Sequence, residues 1–333
     1  MSETKQYNYC LDFIKGIACI FVVFMHCEFP GLLGTAVQTV SRFCVPLFFM
    51  VSGYFCFMQI TDQKEINAKM KKKIRHIGKI TLYACLAYLV FDVVQYFVFG
   101  NKSIFACNTR RFFDFFVLNK PVFVAGQYWF LFALLYDYFL FALILKLKQT
   151  NKIYTFVFLM PLLYVFLAQG LHLLGINVQN CVYRNFIVEG FAFFGLGYWI
   201  HANQPKLKIS NAVLIVVVVV STLLCFAERY LMGRDFGVNI VTFPQVFCLF
   251  LLAINNPQKH AGLMQIIGLR YSMFVYIIHP IVWHTMEFVY EHCGIAENML
   301  AQYLMPIFVL FLTLLFSHII YHAKNSSHIS LHG

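Results

Sequence analysis

Apolar residues occur in long blocks separated by short polar gaps, and this pattern repeats from Phe13 to Tyr321. A helix needs roughly 20 consecutive, mostly apolar residues to cross the hydrocarbon core of a bilayer, and many blocks approach that length. The stretch from Val213 to Phe226 is apolar on every side, whereas strands of a membrane β-barrel alternate apolar and polar residues. The pattern therefore predicts an all-α integral membrane protein.

We expect about ten transmembrane helices in this chain. Their predicted bounds are Leu11–Phe29, Phe43–Ile60, Ile80–Phe99, Gln127–Leu145, Ile153–Leu174, Asn185–His201, Ser210–Leu231, Asn239–Ile254, Ile266–Tyr290 and Leu300–Tyr321. The eighth of these segments is short, and Pro244 interrupts it.

Lysine and arginine residues in the polar gaps indicate the orientation, because short basic loops are retained on the cytoplasmic side. If the N-terminus is cytoplasmic, the inner gaps hold roughly twice as many of these residues as the outer gaps. We therefore expect both termini in the cytoplasm. Residues 1–333 are expected to form a single membrane domain with short tails at 1–8 and 322–333.

Composition excludes most soluble classes of protein. Hydrophobic residues make up 61% of the chain, charged residues make up 12%, and the mean hydropathy is +0.72. The eleven cysteines include no C-x-x-C spacing, so a metal site or a thioredoxin-like site has little support. The net charge of +11 raises nucleic acid as a partner, but most of this charge lies in predicted inner loops and no nucleic-acid motif accompanies it. We expect no nucleic-acid partner and no metal.

The densest basic cluster runs from Lys69 to Lys79, in the predicted first cytoplasmic loop. One interpretation is a topology signal that also attracts anionic lipid headgroups. A second interpretation is a site for a polyanionic substrate.

The first predicted span contains three polar residues that are costly in a membrane, namely Asp12, Lys15 and His26. Lys15 and His26 are 11 positions apart, which is three helical turns plus roughly 20°, or about 16 Å along the axis. Asp12 lies on the same face and can pair with Lys15. The three residues form a polar stripe. Structural alternatives are a lysine that extends to the interface and a histidine satisfied at a helix end.

Polar residues in other predicted spans indicate a polar cavity in the outer half of the membrane. The second span contains Ser52 and Gly53, for which close helix packing is the simpler explanation. The ninth places His279 near the middle of the bilayer, where a structural hydrogen bond competes with a catalytic role. Arg184, Glu189 and Glu228 lie near the outer ends of the sixth and seventh spans.

Two blocks of residues resemble one family of membrane enzymes. Both blocks are similar to motifs of the acyltransferase three family. The first is Asp12-x-x-Lys15 followed by His26, and the second runs from Arg42-x-x-x-Pro46 through Ser52-Gly-Tyr54. Its members include O-acetyltransferases of bacterial surface polysaccharides. Three later stretches also resemble the family, and they contain Tyr128 and Trp129, Arg184 and Glu189, and Tyr276 with His279.

The resemblance implies ten spans in a bacterial inner membrane, a cytoplasmic acyl-CoA donor, and transfer to a hydroxyl or amine on the far side or within the membrane. It implies that Lys15 and His26 carry chemistry, although many members have Arg where this chain has Lys15. A further family element, Arg-x-x-Arg, has its nearest match at Lys72-x-x-Arg75. We expect a stand-alone form with no additional enzymatic domain.

These observations predict a glycan O-acetyltransferase in which His26 acts as general base. Acetyl-CoA is the expected co-substrate, the expected acceptor is a glycan or lipid-linked glycan, and membrane lipids surround the protein. The candidate catalytic residues are His26, Lys15, Asp12 and His279, the candidate phosphate-binding residues are Lys72, Arg75 and Lys79, and the candidate substrate-binding residues are Arg42, Ser52, Tyr128, Trp129, Arg184, Glu189, Glu228 and Tyr276. Two alternatives remain: a small-solute transporter or flippase that uses the same cavity, and a non-catalytic membrane sensor.

Overall fold

The computed structural model describes residues 7–58, 62–99, 109–119, 126–258 and 262–329, and these contain helices and turns without a β-strand. The helices are α1 (Tyr9–His26), α2 (Gly31–Ser41), α3 (Cys44–Tyr54), α4 (Gln63–Phe99), α5 (Thr109–Leu118), α6 (Trp129–Lys146), α7 (Thr150–Val165), α8 (Leu171–Leu173), α9 (Phe191–Asn203), α10 (Asn211–Met232), α11 (Thr242–Asn255), α12 (Gly262–Ile266), α13 (Ser272–His292) and α14 (Met299–Ile329). Five-residue π-helical turns at Phe166–Gly170, Phe186–Gly190 and Ile267–Tyr271 precede α8, α9 and α13. Ile60, the predicted end of the second span, and parts of both predicted tails lie outside the described residues.

Within the described residues, eight helical segments are long and apolar enough to cross a membrane. They are Tyr9–His26, Gly31–Tyr54, Gln63–Phe97, Gly126–Lys146, Thr150–Leu173, Asn211–Met232, Gly262–His292 and Met299–Asn325. The all-α class is confirmed, while the expected count of about ten spans and the orientation of the termini stay predictions.

The two remaining predicted spans are realised as shorter elements. The predicted eighth span is the 14-residue α11, which at about 21 Å is shorter than the hydrocarbon core. Because α11 begins at Thr242, Pro244 lies in its first turn, where the missing amide proton costs nothing. The expectation that Pro244 interrupts a helix is therefore wrong. The predicted sixth span is a π turn followed by the 13-residue α9.

The helices group into two compact units. Unit 1 consists of the chain up to Leu47 together with the chain from Ile209 onward. Unit 2 consists of the intervening residues, Phe48–Lys208.

Unit 1 is organised around close contact between α1 and the segment that leads into α13. A Cβ placed on Gly16 would lie 1.9 Å from the carbonyl oxygen of Met264, and a Cβ placed on Gly268 would lie 1.8 Å from that of Asp12. Glycine is required at both positions, because any side chain would collide with backbone of the opposite segment. Asn8 fixes the start of α1, since its side chain accepts a hydrogen bond from Leu11 N (2.8 Å) and donates to Ala253 O (3.1 Å).

Unit 2 contains a similar crossing between the second half of α3 and α9. A Cβ on Gly53 would lie 1.8 Å from Phe194 O, and a Cβ on Gly197 would lie 2.0 Å from Met50 O. The geometry confirms close helix packing at Gly53. Fully buried aromatic rings fill the surrounding core, among them Phe49 and Phe141.

Helix α4 of unit 2 is continuous over 37 residues, or about 55 Å. The predicted first cytoplasmic loop is therefore largely helical, since Lys69 to Lys79 lie within α4. The helix exceeds the hydrocarbon thickness of about 30 Å, so its basic first half extends beyond the apolar half.

The crossing in unit 1 predicts that Gly268→Ala destabilises the protein, because the new methyl group overlaps the backbone of α1. We expect a loss of about 1–3 kcal/mol, measured as a lower midpoint of thermal unfolding in detergent. Gly78→Ala is the matched control, since a Cβ at Gly78 meets no atom within 4 Å and alanine favours helix. Equal midpoints for the two variants would contradict this account of the crossing.

Candidate active site

The predicted site residues are divided between the two units. Unit 1 holds Asp12, Lys15, His26, Arg42, Glu228, Tyr276 and His279. Unit 2 holds Ser52, Lys72, Arg75, Lys79, Tyr128, Trp129, Arg184 and Glu189.

Asp12 and Lys15 form an ion pair near the start of α1. Lys15 Nζ lies 2.9 Å from Asp12 Oδ1, and the side chains are only 18% and 9% exposed. The Tyr7 hydroxyl donates to the other carboxylate oxygen. Burial, followed by the bond to Asp12, raises the pKa of Tyr7, so its hydroxyl remains a donor over the ordinary pH range. At the start of the predicted polar stripe, the charges of Asp12 and Lys15 therefore neutralise each other.

His26, the last residue of α1, lies against His279 of α13. The two rings stack with centroids 5.3 Å apart and an interplanar angle of 28°, and the Trp283 ring lies 6.4 Å from His26. His26 is partly exposed, whereas His279 is fully buried. Tyr276, one turn before His279, makes an edge contact with its ring at 5.9 Å. The fold therefore joins His26, His279 and Tyr276 from two distant parts of the sequence.

A backbone hydrogen bond sets the tautomer of His279. Its Nδ1 lies 2.9 Å from Val275 O, and because a carbonyl can only accept, Nδ1 carries the proton of the neutral ring. Nε2 is then the atom with a free lone pair. It is buried and has no hydrogen-bond partner among the described residues. This nitrogen can therefore accept a hydrogen bond.

Arg42 belongs to a cluster of charged groups rather than to an open surface. Its guanidinium pairs with Asp235 Oδ2, and Arg229 Nη1 lies 3.2 Å from the same oxygen. Asp235 Oδ1 accepts from the Gly237 amide at 2.9 Å. Gln38 connects this cluster to the end of α1, because it accepts from Arg42 (2.9 Å) and donates to the carbonyl of the residue before His26 (2.6 Å).

Glu228 has a structural role in unit 1. Its two carboxylate oxygens accept hydrogen bonds from the amides of Ile240 (2.7 Å) and Val241 (3.3 Å), directly before α11. These contacts fix the turn that leads into α11.

In unit 2, Trp129, Arg184 and Glu189 form one group. The Arg184 guanidinium lies 5.2 Å from the Trp129 ring centroid and its Nε lies 3.8 Å from the buried Glu189 carboxylate. Tyr128 is fully buried, with its ring 5.7 Å from that of Tyr88. Ser52 shares a side-chain hydrogen bond with Tyr138 of α6, which favours a packing role for Ser52.

The three candidate phosphate-binding residues lie on one face of α4. Lys72, Arg75 and Lys79 are spaced at i, i+3 and i+7, and all three are exposed. Lys73, within the same cluster, instead donates to Phe55 O at 2.8 Å and so fixes the end of α3.

Sequence patterns missed several polar residues that the structure makes prominent. Asp235 and Arg229 lie at or beyond the end of α10, where charged residues are common and so do not indicate a site. Asp137 had a detectable signal, since it is the lone carboxyl of the predicted fourth span. It is fully buried, its two oxygens have no hydrogen-bond partner among the described residues, and a Cβ on Gly190 would lie 2.5 Å from Oδ2.

Comparison with known proteins identifies the family. The family model described as an acyltransferase domain matches residues 8–322, nearly the whole chain. The chain belongs to the acyltransferase 3 family. The first of its two family-like blocks contains the His26 that the fold places against His279.

One similar protein is named for an activity other than acyl transfer. An "Amino-acid racemase" of Enterococcus faecalis is 24% identical over 325 residues, which cover 89% of this chain and 44% of that protein. The acyltransferase 3 chain thus spans less than half the length of this relative. No solved structure matches the chain.

Among the described residues of this acyltransferase 3 member, no group of three or more His, Cys, Asp or Glu side chains is arranged to hold a metal ion.

Asp137 provides a test of the buried polar groups. An ionised carboxylate without a partner is very costly in an apolar interior, whereas an amide of the same shape carries no charge. We expect Asp137→Asn to leave the thermal unfolding midpoint unchanged or higher. Asp137→Ala, which leaves a cavity, should reduce the free energy of unfolding by about 1–3 kcal/mol and so lower the midpoint. A large loss in Asp137→Asn would show that the carboxylate has a partner that stabilises it.

Proposed function

We propose that the protein transfers an acyl group, most simply acetyl, from cytoplasmic acyl-CoA to a hydroxyl of a cell-surface glycan or lipid-linked glycan. Membership of the acyltransferase 3 family supports the reaction class. The proposed setting is the bacterial inner membrane with both termini in the cytoplasm, which the bias of basic residues supports.

The observation that carries the proposal is the contact between His26 and His279. A partly exposed imidazole stacks on a buried one whose Nδ1 is held by a backbone carbonyl. An ordinary histidine titrates near neutral pH, so it can remove and return a proton under physiological conditions. This combination is suited to general acid–base work on an acceptor hydroxyl.

In the proposed reaction the acceptor oxygen attacks the thioester carbon while His26 takes the hydroxyl proton. The C–S bond then breaks, and the proton passes from the imidazolium to the departing thiolate, so that the products are the ester and free CoA. His279 packs against the His26 ring and so orients it. One imidazole thus serves as base in the first half of the reaction and as acid in the second.

Asp12 and Lys15 act as positioning residues in this proposal. Lys15 is 11 residues before His26 in α1, or about 16 Å along the axis, so the two side chains do not reach the same reacting atoms. The Asp12–Lys15 pair instead stabilises the start of the helix that ends in His26.

The exposed face of α4 is the proposed site for the phosphates of the donor. Lys72, Arg75 and Lys79 provide three cations over about 10 Å of one helix face, and the phosphates of CoA are polyanionic. Acceptor contacts stay predictions for Arg42 and Tyr276 in unit 1. In unit 2 they stay predictions for Arg184, Trp129, Glu189, Tyr128 and Ser52.

His26→Gln should lower acyl transfer by about 10²- to 10⁴-fold, because glutamine keeps hydrogen bonding but lacks basicity. The measurement is release of the CoA thiol by the purified protein, with product formation followed by mass spectrometry. His279→Gln should give a smaller loss. His292→Gln, an exposed histidine at the end of α13, is the matched control and should retain full activity.

Near wild-type transfer by a folded His26→Gln variant would refute the assignment of the base. If the wild-type protein released no CoA thiol while moving a solute across a membrane, the transporter alternative would replace the enzyme.

Replacement of Lys72, Arg75 and Lys79 together by glutamine should raise the KM for acetyl-CoA about tenfold or more and leave kcat nearly unchanged. Added salt should have the same effect on the wild type, because it screens exposed charges. The control replaces Lys146, Lys148 and Lys152, three exposed lysines of the same unit, by glutamine. Equal KM values for the two triple variants would contradict phosphate binding by the α4 cluster. A topology signal that attracts anionic lipid would then be the interpretation of this cluster.

A further inference from the structure

Unit 1 contains a cavity of about 400 Å³ beside the end of α1 that bears His26. Its lining includes Glu28, two residues after His26, and Gln38, which is bonded to the carbonyl of the residue before His26. Arg229 and Gln302 contribute to the wall. The cavity is large enough for a monosaccharide-sized group, and amide, hydroxyl and charged groups line it.

Arg229, in the wall of this cavity, belongs to a charged cluster with an excess of positive charge. Two guanidinium groups, from Arg42 and Arg229, share the single carboxylate of Asp235. All three side chains are at most 26% exposed, so solvent screens this imbalance only in part. Arg42 Nε is buried and has no acceptor among the described residues.

The N-terminus of α2 opens onto the same cavity. Pro30 and Gly31, the N-cap and the first residue of α2, belong to the lining, and no side chain caps the first amide groups of this helix. Uncapped amides and the helix dipole favour an anion at such a position. Two independent features, the arginine excess and the uncapped helix end, therefore favour the same sign of ligand charge.

Glu28 lies exposed at the cavity and makes no ion pair with either arginine within the described part of the chain. Its carboxylate opposes an anion but accepts hydrogen bonds from hydroxyl groups. The Thr35 hydroxyl and the Gln302 amide add further groups that can bond to hydroxyls.

We propose that this cavity is the acceptor subsite and that the acceptor is an anionic polyol, whose carboxylate or phosphate binds at Arg229 while a hydroxyl group lies toward His26. The guanidinium of Arg229 offers a planar pair of donors that matches the oxygens of either anion. This inference rests on the proposed transfer function, which it extends to the class of acceptor.

Binding is tested on the full-length protein in detergent without acyl-CoA, so that the outcome does not depend on turnover. Thermal unfolding is followed against increasing concentrations of two matched pairs of probes, D-glucuronate with D-glucose and glycerol 3-phosphate with glycerol. We expect at least one anionic probe to bind about tenfold or more tightly than its neutral partner. The two pairs separate a carboxylate-bearing from a phosphate-bearing acceptor.

Substitutions at the cavity sharpen the test in opposite directions. Arg229→Gln should abolish the preference for the anionic probe, and Arg229→Lys should retain part of it. Glu28→Gln should strengthen anion binding, because it removes an opposing charge. Arg234→Gln is the control, since the Arg234 guanidinium lies over Phe236 and does not line the cavity.

Equal binding of anionic and neutral probes by the wild type, or an unchanged preference in Arg229→Gln, would overturn the proposal. If Arg229→Gln fails to fold, Glu28→Gln and Arg229→Lys test the same proposal. His26→Gln should retain the anion preference while losing transfer. Anion binding without any transfer from acetyl-CoA would leave the subsite in place and refute the transfer function.

Discussion

The close crossing between α1 and the segment around Gly268 determines the geometry of unit 1. Two glycines bring backbone directly onto backbone, and no larger residue fits at either position. The π turn Ile267–Tyr271 at this crossing leads directly into α13. This contact therefore helps to fix the spacing at which His26, at one end of α1, stacks on His279 of α13.

Sequence patterns predicted the features that depend on local spacing. The pairing of Asp12 with Lys15 follows from their i, i+3 separation. The all-α class follows from the lengths of the apolar blocks. None of these inferences needs knowledge of which helices are neighbours.

Features that depend on neighbours were not accessible from the pattern. His26 and His279 are 253 residues apart, and nothing in either local sequence states that their rings meet. Glu228 resembled a polar group at a membrane site, yet backbone amides of a following turn occupy its oxygens. The elements observed at the predicted sixth and eighth spans also differ from the predicted bounds, because the pattern of apolar residues does not locate the π turn before α9 or the start of α11.

The unbroken course of α4 has a mechanical consequence. Its cationic end and its apolar end belong to one continuous helix. Any change in the tilt of the apolar half therefore also moves the charged half. A tilt of about 10° displaces a point about 25 Å along a straight helix by roughly 4 Å. Thickness and curvature of the surrounding bilayer thus set where Lys72, Arg75 and Lys79 meet the aqueous phase. The lipid environment therefore affects how far these side chains extend into the aqueous phase.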